Sequence, residues 1–167
     1  AARLRYHHDP VTGAAMIHDP VANTLTAAAR VRHPSFYLLA GADQARRVSG
    51  WGRALATCCA SGRISRVQVL ERTMPDTGQG VRQYWAEHGR RDGGWAATQY
   101  ETLIEHAAPT SERHETTISV SVDLTRIRRA VRAHGGGITG AAAVLRHEMT
   151  TVAAALHAAE FAVDGWV

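Results

Sequence analysis

The chain has 167 residues, 45% hydrophobic and 20% charged, with a formal net charge of +4. That length predicts a single domain spanning residues 1–167, with roughly 70% of the unfolded surface buried. No segment approaches the roughly 18 consecutive apolar residues of a membrane span, and the charge balance speaks to solubility rather than to a site.

All 19 cationic side chains are arginine, a pattern read as compositional bias rather than as a dedicated nucleic-acid surface. Residues 4–8, 14–18 and 24–33 read as three short strands in a meander. The third alternates Leu25, Ala27, Ala29 and Val31 with Thr26, Arg30 and Arg32, the period-two signature of a half-buried strand. Asp9-Pro10 and Asp19-Pro20 open the connecting turns. Asp43 is positioned to cap a helix running to about Ala60, with Val48, Trp51, Leu55 and Cys58 or Cys59 at helical spacing. Adjacent cysteines cannot close an ordinary loop, so one packs as a small apolar residue, as in a reducing compartment.

Gly62 ends that helix, and a strand through Val67 and Val69 follows. Pro75 and Asp76 open a second helix ending near Gly89. The break at residues 90–94 leads to a third, striped with Tyr100, Leu103, Ile104 and Ala107. In residues 117–124, Ile118, Val120 and Val122 face a core while Ser119, Ser121 and Asp123 form a polar face. Asp123 or Thr125 caps a helix to His134. Thr139 caps the longest helix, with Leu145, Met149, Val152 and Leu156 in register, and residues 161–167 form a last strand. The order βββαβααβααβ predicts an α+β fold, a mainly antiparallel sheet with helices packed on it.

Motifs for catalysis or metal binding are weak. His8-Asp9-Pro10-Val11 and His18-Asp19-Pro20-Val21 repeat one tetrapeptide. The two histidines and two aspartates are metal-ligand types, yet Asp-Pro is a turn former wherever it stands, and the turn reading is preferred. His147-Glu148 lacks the second histidine of H-E-x-x-H, because Thr151 stands there. The run Gly135-Gly136-Gly137 follows a helix and has no lysine, unlike a phosphate-cradling loop. No G-x-S-x-G occurs. The expectation is a non-enzyme with no metal and no cofactor.

Two surfaces remain as candidates. Arg126, Arg128, Arg129 and Arg132 crowd one short segment, a stripe that could follow phosphates or be a solvated helix face. Ser119, Ser121 and Asp123 form the polar side of the cleanest strand, offered to a partner in a sheet with exposed edges.

Three groups of stretches carry a family resemblance. The first comprises residues 35–39, 47–52 and 67–76, that is Ser-Phe-Tyr-Leu-Leu, Arg-Val-Ser-Gly-Trp-Gly and Val-Gln-Val-Leu-Glu-Arg-Thr-Met-Pro-Asp. The second comprises residues 112–122 and 136–140. The third is Leu145-Arg146-His147-Glu148-Met149 with Val163-Asp164-Gly165-Trp166. Together they resemble actinobacterial membrane proteins found with the ATPase and channel components of conjugative elements and related type IV- and type VII-like secretion systems. The resemblance implies a soluble piece of a membrane-anchored protein, preceded by a pair of membrane helices and lying on the cytoplasmic side of the cell membrane. It docks to other subunits or to the ATPase, and contact with nucleic acid is the alternative. The family carries no established catalytic residues. The ends of the chain, which starts without methionine, read as cuts that agree with this expectation.

Overall fold

A computed structural model describes residues 3–33, 38–89, 93–107 and 112–166. The elements appear in the expected order: β1 (Arg5–His8), β2 (Ala15–Asp19), β3 (Thr24–Arg32), α1 (Gly41–Ala60), β4 (Ile64–Pro75), α2 (Gln79–His88), α3 (Trp95–Ala107), β5 (Glu112–Asp123), α4 (Arg128–Ala133), α5 (Gly137–Ala158) and β6 (Ala162–Trp166). The fold is α+β with a mainly antiparallel six-stranded sheet. The chain divides into two compact units, Ala1–Leu70 with Thr116–Val167, and Glu71–Glu115.

In the first unit the strand order is β1-β2-β3-β5-β4, and β6 also pairs with β3. β5 pairs with β3 from Thr24↔Asp123 to Val31↔Thr116, which fills one edge of β3. The opposite edge is divided between two strands. β2 takes its first part (Ile17↔Thr26 to Asp19↔Thr24), and β6 takes its last part (Ala29↔Trp166 to Arg32↔Ala162).

Alternation puts Leu25, Ala27, Ala29 and Val31 of β3 and Ile118, Val120 and Val122 of β5 on one face, where all are buried. Leu145, Met149, Val152 and Leu156 of α5 pack on that face, joined by Ala54 and Cys58 of α1. Methyl-sized contacts let the helices approach closely. A Cβ at Gly50 of α1 would stand 3.0 Å from the Ala159 Cβ. On the other face Thr26 and Ser121 share a 2.7 Å hydroxyl hydrogen bond. The β2–β3 turn is held by Asp19, whose Oδ1 accepts from the amides of Val21 (2.8 Å) and Ala22 (3.1 Å).

In the second unit, Arg72 and Glu115 form a 2.6 Å ion pair between the ends of β4 and β5. Trp85 of α2 lies 4.7 Å from the Tyr100 ring of α3 and donates its Nε1–H to Glu101 at 3.2 Å. The expected stripe on α3 is only partly a core. Ile104 is buried, but Leu103 and Tyr100 stay exposed, because a two-helix unit has too little surface to cover both.

Four helix starts differ from expectation. α1 begins at Gly41, so Asp43 lies in its first turn and pairs with Arg46 at 2.7 Å instead of capping; a carboxylate there still favours the helix dipole. β4 continues through Pro75, Asp76 Oδ1 accepts from the Gly78 amide, and α2 starts only after Gly78, whose φ of 68° is left-handed. Asp123 Oδ1 accepts from the amides of Thr125 (2.8 Å) and Arg126 (3.3 Å). It closes a turn rather than a helix, which leaves α4 six residues long. α5 starts at Gly137 with no side-chain cap, two residues before Thr139. Of the remaining expectations, residues 35–37, 90–92 and Val167 lie outside the described residues.

Candidate functional site

Strand pairing assembles a basic cleft that no short motif announces. β1 and β2 pair with Arg5 opposite His18 and His7 opposite Met16, and β2 and β3 pair with His18 opposite Leu25. Residues directly opposite share a face, so Arg5, His7, Met16, His18 and Leu25 all lie on the helix-covered side of the sheet. Met16 and Leu25 are buried in the core. Arg5, His7 and His18 instead border a cleft of about 330 Å³ against Arg128, Val131 and the start of α5 at Gly137 and Ile138.

The electrostatics there are one-sided. The His7 and His18 rings are 6.1 Å apart, and the Nε2 atom of each is buried without a hydrogen-bond partner among the described residues. Burial lowers the His18 pKa below its ordinary value; the charges of His7 and then Arg5 push the same way, against the opposing pull of Asp19. No carboxylate lines the cleft.

The twin His-Asp-Pro turns do not converge. His8 falls on the opposite face from His7, with its Nδ1 3.3 Å from the Gly13 carbonyl oxygen. Asp9 turns inward and accepts from the Thr12 amide (3.0 Å), the Thr12 hydroxyl (2.6 Å) and Arg146 of α5 (2.5 Å). Burial raises its carboxyl, but these hydrogen bonds and the Arg146 charge outweigh that and leave its pKa below the ordinary value. Among the described residues, no three His, Cys, Asp or Glu side chains gather as a metal site would need.

The other sequence candidates separate. Arg126, Arg128, Arg129 and Arg132 are all exposed, but Arg126 lies before α4 and contacts Asp123 at 3.7 Å. Only Arg128 reaches the cleft. In β5, Ser121 is buried against Thr26, Ser119 is half-buried, and Asp123 holds the following turn. β5 has neighbours on both sides; β4 is the long edge strand. Cys58 is buried and Cys59 exposed, both free.

The site is thus a cationic cleft on an α+β unit, without an arrangement of nucleophile and base. Residues 110–164, about a third of the chain, match a family model described as "Putative type VII ESX secretion system translocon, EccE". The matched segment takes in the central strand β5, the packing helix α5 and Arg128; Arg5, His7 and His18 lie outside it. It includes the resembling stretches at residues 112–122 and 136–140, and not those at residues 35–39, 47–52 or 67–76. The likeness therefore supports a secretion-system family. No curated protein and no solved structure matches the chain.

Proposed function

We propose that this chain is the soluble, cytoplasmic-side domain of a membrane-anchored, non-catalytic subunit of a type VII-like secretion apparatus. Its role is to dock other subunits of that apparatus, the ATPase among them. The similarity of residues 110–164 to the translocon family carries this reading. Among the described residues no helix is long and apolar enough to cross a membrane. β4 supports the docking role. It is a 12-residue edge strand, mostly exposed, and an open edge offers main-chain pairing to a partner strand. Tagged full-length protein purified from detergent-solubilised membranes is expected to bring down the secretion ATPase and the other membrane subunits. Recovery of the protein without any of them would sink the docking role.

A second reading rests on the four exposed arginines at residues 126–132. In a conjugation apparatus that surface would touch the transferred DNA. Fluorescence anisotropy with single- and double-stranded DNA between about 50 and 200 mM salt decides it, because phosphate contacts lose affinity steeply over that range. Affinity that falls with salt and drops further with Arg129→Ala and Arg132→Ala favours the DNA reading; flat baselines at low salt remove it.

A further inference from the structure

We propose that the cleft bounded by Arg5, His7, His18 and Arg128 binds a phosphate group, carried either as a free phosphate or on a lipid headgroup. The sheet register places Arg5, His7 and His18 on one wall and α4 brings Arg128 to the rim; Asp19 is the one acidic group acting on His18, against His7 and Arg5. Arg5 and Arg128 have no carboxylate partner there, and both histidine Nε2 atoms are buried without a hydrogen bond. Buried polar nitrogens left unpaired are costly, of order 1–3 kcal/mol each, and a turn of either imidazole that brings its Nε2 to the cleft would let a phosphate oxygen satisfy it. Guanidinium groups fork onto phosphate with two parallel hydrogen bonds. The first turn of the 22-residue helix α5 opens at Gly137 on the same cleft and has no side-chain cap, so its free amides and dipole add to the attraction.

A metal ion is the competing occupant and fits worse. Two imidazoles supply two ligands, no third ligand type gathers with them among the described residues, and two guanidinium groups would repel a cation. Size and lining favour more than a bare ion. At about 330 Å³ the cleft reaches the lower end of the roughly 300–1,000 Å³ typical of small-molecule sites. Leu124, Val131, Ile138 and Ala141 give it an apolar side suited to the carbon part of an ester.

Binding is expected to shift the titration of His18. The groups facing His18 are His7 and Arg5 on β1, Asp19 on β2 and Arg128 on α4, while α5 presents only Gly137, Ile138 and Ala141. Burial first, and then the charges of His7 and Arg5, disfavour the His18 imidazolium, and the negative charge of a bound phosphate would favour it. A bound phosphate should therefore raise the pH at which His18 titrates.

The test is nuclear magnetic resonance of the histidine side chains in the 167-residue chain, titrated with inorganic phosphate and, separately, with short-chain phosphatidic acid against phosphatidylcholine. Saturable shifts of the His7 and His18 resonances with inorganic phosphate would support a free-anion site. Shifts with phosphatidic acid alone would support a headgroup site. In either case the His18 resonances should titrate at a higher pH with the ligand bound than without it. The double variant Arg5→Gln with Arg128→Gln, both at exposed positions, should lose the response while keeping its fold. Unmoved resonances with both ligands, or an undiminished response in the folded double variant, would overturn the site.

Discussion

Arg47 shows at single-residue scale how a buried charge depends on one partner. Its side chain is only 8% exposed, while that of Glu160, 2.6 Å away, is 55% exposed. The Nε and Nη1 atoms of Arg47 are buried without a hydrogen-bond partner among the described residues. Glu160→Ala leaves the cation alone and should cost about 1–3 kcal/mol, whereas Arg47→Met removes the charge with its desolvation penalty and should be neutral or mildly stabilising. Urea unfolding of the two variants checks the asymmetry; equal losses would contradict it. Asp9 adds a pH dependence. Its folded pKa lies below the unfolded value of about 3.9. The stabilisation is therefore full above that value and is lost as pH falls through the lower folded one. Asp9→Asn should flatten the stability profile below about pH 4 and cost about 1–3 kcal/mol at neutral pH; an unchanged acid limb in that variant would refute the assignment.

At the scale of elements, glycine positions separate close approach from mere flexibility. A Cβ at Gly140 of α5 would strike the Val131 carbonyl oxygen and stand 3.2 Å from that of His134. Backbone cannot swing aside, so Gly140→Ala should destabilise by about 1–3 kcal/mol. At Gly52 of α1 a Cβ meets nothing within 4 Å, and Gly52→Ala should stabilise by about 0.5–1 kcal/mol. Thermal melts of the pair should move in opposite directions, and matched shifts would count against this packing. β3, β5 and α5 were legible in the sequence because their periods coincide with their burial. Helix starts were less so, because the side chains of Asp76 and Asp123 satisfy turn amides as readily as helix amides. The cleft was not legible at all. The repeated His-Asp-Pro drew attention to His8, yet the β1–β2 register pairs Arg5 with His18 and so puts His7 on its face. A one-residue slip would exchange the two histidines. Period-two reading of residues 4–8 was the available signal, but it is silent on which face is inward.

At the scale of the molecule, residues 71–115 form a compact unit of their own, which takes in the end of β4, the start of β5 and the chain between these two neighbours in the sheet. Neighbouring antiparallel strands can be joined by a two-residue turn. Joining Leu70 to Thr116 through Asn-Gly should therefore leave the first unit folded, since the buried cluster of β3, β5, α1 and α5 draws nothing from residues 71–115. Circular dichroism should show a single cooperative melt for the shortened chain. A broad, non-cooperative transition would mean that the first unit does not stand alone.

The divided edge of β3 has a consequence in time. Its first part can be covered by β2 within the opening hairpin, but the stretch from Ala29 to Arg32 waits for β6, some 130 residues later. Until the ribosome has released that strand, a growing chain carries an open template along part of β3, a strand of its buried core. Such an edge invites pairing with another nascent chain. Late closure of this kind makes β6 a checkpoint of biogenesis, and the exposure of this edge to other chains lasts until β6 has emerged and docked.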